Sequence, residues 1–323
     1  MGPGTCPGLG KAKTPAARRW DEVRNEGRAV STVKSFAIGN GDMYYIQHGS
    51  SNFSIIDCSL PDDRVGSILA ELKTQSKGKA ITRFISTHPD QDHISGLVEL
   101  DDHLQLVNFY CVRNNAAKSS PTVDFEQYKR LRDGDHHYYV YKGCKRKWMN
   151  DDDDTNGSSG INFLWPVTDD PDFKSALADA ASGMTPNNIS PIFTYALEGG
   201  VKMIWMGDLE TDFMEKILDK VKIPKVDVLF APHHGRTSGK VPKDWLTIMD
   251  PQLVVIGEAP SEYLHYYTGY NVITQNSCGD IMFDNREHRT HIYVADAAYS
   301  VDFLLDEDKD HRDGLYYVGS LST

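Results

Sequence analysis

The sequence predicts a layered α/β fold, and three observations carry that expectation. Short apolar runs bounded by Gly, Asn, Asp and Ser recur along the chain, amphipathic stretches of helical period lie between them, and the strongest runs end in polar residues. The 323 residues are 40% hydrophobic and 25% charged, with a mean hydropathy of −0.46, which suits a substantial core and excludes a fibrous or disordered chain. No run approaches the roughly 20 apolar residues of a membrane span, and the opening lacks the apolar stretch of a signal peptide. A soluble cytoplasmic protein with no membrane association is therefore expected. Five scattered cysteines without CxxC spacing indicate neither a disulfide framework nor a thiolate zinc site. The net charge of −12 argues against coating nucleic acid by charge alone, so a nucleic-acid substrate requires local basic patches or metal ions.

The elements follow in order. Residues 1–30 are rich in Gly, Pro, Ala and basic residues without apolar periodicity and read as a surface arm, with a core domain expected over 31–300. Phe36–Ile38, Met43–Ile46 and Phe53–Ile56 read as a strand meander. Val65, Ile68, Leu69 and Leu72 then mark a helix that stops at Gly78, and Ile81–Ser86 reads as a buried strand before a histidine-rich loop and a helix beginning near Ile94. Residues 111–160 mix tyrosines with basic residues and read as an insertion, whose run Asp151 to Asp154 is a solvated loop. Ile161–Pro166 is a strand, Ser190–Asp208 a hairpin turned at Gly199-Gly200, and Thr211–Val221 an amphipathic helix. Val226–Gly235 and Pro251–Glu258 are buried strands with polar C-terminal ends, and 301–323 is a C-terminal extension.

The chemistry concentrates in STHPDQDHISGL, where His88, Asp90, Asp92 and His93 fall within six residues between a strand and a helix start. Imidazole nitrogens and carboxylate oxygens on one tight loop can be aimed at one or two cations, about 3.5–4 Å apart in two-metal sites. Asp208 follows the apolar strand KMIWM, where an acid is either a helix N-cap or a ligand. Of the adjacent pair His233 and His234, an extended chain would turn one toward the site; His234, beside Gly235, is favoured as ligand and His233 as a packing or supporting residue. Ser190, Thr237 and Ser238 are candidates either to hold a phosphate oxygen or to satisfy turn amides.

His88-Pro-Asp90-Gln-Asp92-His93 resembles the HxHxDH loop of the metallo-β-lactamase fold, with Asp90 where most members carry the second His. That variant is similar to the C-terminal hydrolase domain of ComEC-type DNA-uptake competence proteins. Further segments agree in order: GNGDMYYIQ resembles the leading hairpin, SIIDCS with Asp57 the first strand-end aspartate motif, and Asn187-Asn188-Ile189-Ser190 an N-x-x-S segment replacing the third-motif histidine. Asp208 in IWMGDLE resembles the bridging aspartate, His233-His234-Gly235 the late histidine motif, and Thr274, Gly279 and Ile281 the terminal strand. The resemblance runs from about Phe36 to Phe283 and implies a metallo-β-lactamase-like αββα sandwich with an inserted segment. It also implies two divalent metal ions, Zn or Mn, held by His88, Asp90, Asp92, His93, Asp208 and His234. Asp92 and Asp208 would act in catalysis, and Asp57 would position the metal loop. Asn187 is expected either as a weak ligand or as a hydrogen-bond partner of the substrate. Replacing imidazoles by Asp90 and Asn187 hardens the set toward oxygen, which makes Mn²⁺ or Mg²⁺ competitive with Zn²⁺.

The leading expectation is thus a metallo-hydrolase acting as a phosphodiesterase or nuclease, with single-stranded DNA or another phosphodiester as substrate. Tyr138, Tyr139, Tyr141 and Lys142 stand close before Lys145, Arg146, Lys147 and Trp148, and the last four are candidate nucleic-acid contacts, since aromatic and basic residues together suit stacking of bases and pairing of phosphates. The same composition also suits a packed strand with solvated cations. Two alternatives stand beside this reading: a hydrolase of a small molecule such as a lactone, lactam or cyclic nucleotide, and a non-catalytic nucleotide-binding module.

Overall fold

The computed structural model describes residues 31–151, 155–259 and 265–323. The expected N-terminal arm and Asp152 to Asp154 lie outside the described residues. The strands of the first half are β1 (Ser31–Ser35), β2 (Tyr44–Gln47), β3 (Asn52–Ile56), β4 (Cys58–Ser59), β5 (Ile81–Ile85), β6 (Phe109–Cys111) and β7 (His137–Tyr139). Those of the second are β8 (Ile161–Trp165), β9 (Ile192–Ala196), β10 (Lys202–Trp205), β11 (Val228–Phe230), β12 (Leu253–Ile256), β13 (Val272–Thr274), β14 (Ile281–Arg286), β15 (Arg289–Val294) and β16 (Tyr316–Ser322). Helices α1 (Val65–Gln75), α2 (Gln91–Ile94), α3 (Leu97–Leu104), α4 (Val123–Asp133), α5 (Pro171–Ala181), α6 (Thr211–Lys216) and α7 (Lys243–Met249) connect them.

Among the described residues the strands form a nine-stranded sheet, β16-β15-β14-β1-β2-β3-β5-β6-β7, and a six-stranded sheet, β13-β12-β11-β10-β9-β8. Each has an antiparallel and a parallel part: β3, β5, β6 and β7 run parallel in the first, and β10 to β13 in the second. Parallel strands covered on both faces need apolar residues on both, which is why NFSII and LVVI are buried throughout. The sheets face each other across an aromatic core. Tyr44 of β2 meets Trp205 and Phe230 at 6.0 and 5.1 Å, Trp205 stacks on Phe230 at 4.5 Å, and Phe283 of β14 closes on Phe230 at 6.0 Å. The mixed α/β architecture expected from the pattern is present, and it brings the C-terminal ends of parallel strands from both sheets to one region, where ligands of such sheets bind.

Two expectations change, the first strand and the end of α6, and two segments take places in the larger sheet. The first strand is Ser31–Ser35 rather than Phe36–Ile38; STVKS pairs with β2 on one side and β14 on the other, so its polar residues are buried in a sheet interior and hide the strand. Within the stretch 111–160, β7 continues the parallel sheet beyond β6, with α4 between them in sequence. Three-residue strands, one of them at the half-exposed edge, are too short to show a period. Residues 301–323 supply β16, which pairs along β15. Finally, α6 ends at Lys216 instead of continuing to Val221.

Candidate metal centre

The loop after β5 is held from beneath by Asp57, which follows β3. Asp57 sits in the left-handed region at φ 54, a conformation costly for a residue with a side chain, and its carboxylate repays that locally. It accepts from the Thr87 backbone N–H at 2.7 Å, from the Thr87 hydroxyl at 2.6 Å, and from Nδ1 of His93 at 2.9 Å. Since the Thr87 hydroxyl donates to Asp57, its oxygen is left to accept from Nδ1 of His88, 3.0 Å away. Both histidines therefore turn an Nε2 lone pair toward the same space. The Ser190 hydroxyl also lies 3.3 Å from His88 Nδ1 and accepts from the Asp208 backbone N–H at 3.3 Å, so it braces the site.

Asp208, after β10, is the centre of the arrangement. Its Oδ1 lies 3.1 Å from His93 Nε2, and its Oδ2 lies 3.5, 3.7 and 3.9 Å from the Nε2 atoms of His234, His233 and His88. It does not cap the next helix, whose N-cap residue is Glu210. Asp92 Oδ2 is 3.5 Å from His234 Nε2, and Asp90 Oδ2 is 4.0 Å from His88 Nε2. Asp42, Tyr44 and Lys118 are additions that spacing did not point to. Asp42 Oδ1 faces Nδ1 of His234 at 3.3 Å and accepts from the Tyr44 hydroxyl at 2.9 Å, and Lys118 pairs with Asp90 Oδ1 at 3.0 Å. Asp42 follows a Gly-Asn-Gly turn and reads as an ordinary turn aspartate; Lys118 lies in a stretch without motif.

Burial and charge shape these groups. Burial pushes the Asp208 carboxyl up, but the surrounding His93, His234 and His88 outweigh it and hold the group well below the ordinary carboxylate range. For Asp92 burial is likewise outweighed, by His234 and His93, and its pKa falls to about 2. Burial and the neighbouring His93 take His88 down to about 3. For His234 the burial penalty is overcome by Asp42 and Asp208, which raise it to about 10.

The donor set fits a divalent cation. His88 Nε2, His93 Nε2, His234 Nε2 and Asp208 Oδ1 are buried yet lack hydrogen-bond partners, a costly state unless another group meets them. Donors sharing one tetrahedral ion stand roughly 3.4 Å apart, given bonds of about 2.0–2.2 Å, which matches the separations around Asp208. One ligand atom each from Asp42, His93, Asp208 and His234 lies within 4.8 Å of the others. Within that group Asp42 faces the far nitrogen of His234, so we read it as the carboxylate that orients this ligand, with Asp92 beside Nε2.

The remaining sequence candidates scatter. His233 and His234 both reach Asp208, contrary to the expectation that one would face away, because both adopt left-handed backbone (φ 52 and 54) in a short turn rather than extended chain. Asn187 is buried in the turn before β9, and Ser238 meets His233 Nδ1 at 2.9 Å. Thr237 bonds to the Tyr266 hydroxyl. Lys145 to Trp148 are not brought to the centre: the Trp148 carbonyl accepts from buried Arg83 and Arg146 lies over the Tyr138 ring at 4.5 Å. The segment that follows ties Asn156 and Ser158 to Ser50, Ser51 and Asn52, at the start of β3 and so opposite the metal loop.

Residues 37–167 match the metallo-beta-lactamase superfamily, a stretch that contains the metal loop but not Asp208 or His234. Among solved structures, the chain is similar to a protein from Thermotoga maritima described as a Zn-dependent hydrolase of that superfamily. The identity is 14%, coverage is 72% of this chain and 78% of that one, and the TM-score is 0.31. No curated protein matches the chain significantly. No helix among the described residues is long and apolar enough to cross a membrane. Residues 37–167 are thus similar to the metallo-β-lactamase superfamily, and the described residues hold a candidate metal centre built around Asp208.

Proposed function

We propose that the protein is a metal-dependent phosphodiesterase or nuclease. The observation that carries this reading is the buried Asp208 carboxylate with four imidazole Nε2 atoms around it, three of them and one Asp208 oxygen without a hydrogen bond. Two divalent ions, Zn or Mn, would be held by His88, Asp90, Asp92, His93, Asp208 and His234. When bound, such ions supply an electrophile for the scissile group and lower the pKa of water. The chain's own groups do the positioning. Asp57 and Thr87 hold the His93 and His88 rings, Asp42 and Tyr44 hold His234, and Lys118 holds Asp90 by its outer oxygen.

The phosphodiester class is supported by Asp90 in the place of an imidazole, which favours hard oxygen-loving ions, and by the likeness of HxDxDH to the ComEC-type hydrolase domain. Single-stranded DNA or a smaller phosphodiester is the proposed substrate. The placement of Lys145 to Trp148 away from the centre favours recognition by other residues. The buried free thiols Cys58, Cys111, Cys144 and Cys278 suit a reducing, cytoplasmic setting.

The test is to strip the protein with a chelator, reload it with Mn²⁺ or Zn²⁺, and assay bis(p-nitrophenyl) phosphate, a labelled single-stranded oligonucleotide, a lactone and a cephalosporin. Metal-restored cleavage of the phosphodiesters is expected. Cleavage confined to the lactone or the lactam, or no cleavage of anything despite bound metal, would overturn the reading.

A further inference from the structure

The parallel strands β3, β5, β6 and β7 lie side by side, so their C-terminal ends share one edge of the sheet. Asp57 follows β3 and the His88 loop follows β5. Continuing along the edge, Val112 and Arg113 follow β6, and Val140 and Tyr141 follow β7. At this end lies a cavity of about 440 Å³ walled by Val112, Arg113, Tyr139, Tyr141, Phe173 and Leu177. It therefore opens on the same sheet edge as the metal loop, one to two strands away.

Its chemistry is specific. The Arg113 guanidinium stands 5.7 Å from the Tyr139 ring centroid, and among the described residues no carboxylate lies within ion-pair distance of it. Tyr141, 45% exposed, presents its ring in the wall of the cavity. Phe173 and Leu177 of α5 form the apolar side. The segment that leaves Arg113 is pinned to the same helix, where the Ala117 N–H donates to the Ala180 carbonyl, and it ends on Lys118, which pairs with Asp90 of the metal loop at 3.0 Å. One short stretch of chain therefore joins the cavity wall to the centre. A cation with no carboxylate partner among the described residues, two tyrosine rings and an apolar wall match a planar aromatic group that carries negative charge beside it.

We propose that this cavity is a subsite for the nucleoside unit adjoining the scissile phosphate, with Tyr139 and Tyr141 against the base and Arg113 on the flanking phosphate. The inference rests on the phosphodiester reading above and deepens it. It also assigns recognition to the edge that holds the metal loop, in place of Lys145 to Trp148.

The experiment uses the full chain stripped of metal, so that phosphate cannot report on the centre. Isothermal titration with thymidine 3′,5′-bisphosphate and with inorganic phosphate is expected to give at least tenfold tighter binding of the nucleotide. Arg113→Ala and Tyr141→Ala, both at exposed positions, should each weaken nucleotide binding at least tenfold, and Leu177→Trp should fill the cavity and abolish it. Circular dichroism of each variant, and its metal content after reloading, should match the wild type. Should Leu177→Trp misfold, the two surface variants decide. Equal affinity for the two probes, or nucleotide binding unmoved by both surface variants, would overturn the subsite. A competing ten-residue single-stranded oligonucleotide separates the sources: tighter binding than the bisphosphate marks a strand, weaker binding a free nucleotide. The two readings fail differently. Wild type that cleaves bis(p-nitrophenyl) phosphate but shows no nucleotide preference loses only the subsite, whereas wild type that cleaves no phosphodiester loses the hydrolase reading even if nucleotide binds.

Discussion

Asp208 concentrates what a single residue contributes here. A buried carboxylate stripped of hydrogen bonds on one oxygen is expensive, and the surrounding imidazoles alone do not satisfy it. Because Glu210 holds the N-cap position of α6, Asp208→Asn leaves the helix start untouched, and its effect reads the site directly. We expect this variant to fold, to retain fewer metal ions by elemental analysis, and to lose turnover by several orders of magnitude. A near-normal enzyme with full metal content would end the role assigned to Asp208. Asp57→Asn is a graded companion. It keeps a polar group against Thr87 but removes the anion from His93 Nδ1, and metal affinity should fall about 10–100-fold. An unchanged binding isotherm would show that His93 is oriented by packing alone.

At the scale of elements, the strand-to-loop turns carry the precision of the site. Gly207, between β10 and Asp208, has φ 51, and a Cβ there would stand 2.6 Å from the Ser190 hydroxyl and 2.8 Å from the Thr87 Cβ. Those two residues brace His88, so Gly207→Ala should both destabilise the fold by roughly 1–3 kcal/mol and weaken metal binding. Gly66, in the first turn of α1, meets nothing within 4 Å and has helical backbone. There the same substitution should stabilise by about 0.4–1 kcal/mol, because Ala restricts the unfolded chain more than Gly does. Urea denaturation of both variants checks the pair, and loss of stability at Gly66 or none at Gly207 would contradict the argument. The chemistry of these turns was legible beforehand, since a loop as dense in ligands as His88 to His93 is a local property. Their backbone was not: the left-handed conformations of Asp57, His233 and His234 are held by partners distant in sequence.

For the whole molecule, the terminal strand decides how the larger sheet ends. β16 pairs along β15 with Ser320 and Leu321 buried, and the Tyr317 hydroxyl bonds to the Leu305 carbonyl and to Ser320. Truncation after Asp313 would uncover the length of β15 as an unpaired edge, a template for association between copies. Such a chain should shift to larger species than the full-length chain on size-exclusion chromatography despite the net charge of −12, which opposes association only through repulsion. An elution profile and melting like those of the full-length chain would show β16 to be dispensable.

The sequence by itself determined the α/β character, most of the buried strands and the loop that gathers His88, Asp90, Asp92 and His93, because hydrophobic period and loop composition depend on near neighbours. It also placed Asp208 and the histidine pair at strand ends, where apolar runs stop. Only the tertiary structure decided which of these residues meet. Sheet order set Asp42 behind His234 and Lys118 on Asp90, pairings separated by 192 and 28 positions in the chain, and no periodicity encodes such distances. Backbone conformation turned both His233 and His234 inward, where an extended chain would have divided them. Strand direction, finally, sent Arg113 and Tyr141 to the edge shared with the metal loop and the segment beyond Trp148 to the start of β3. Composition named Tyr139, Tyr141 and Lys145 to Trp148 together, since it counts cations and rings but holds no information about the end of a strand at which they stand.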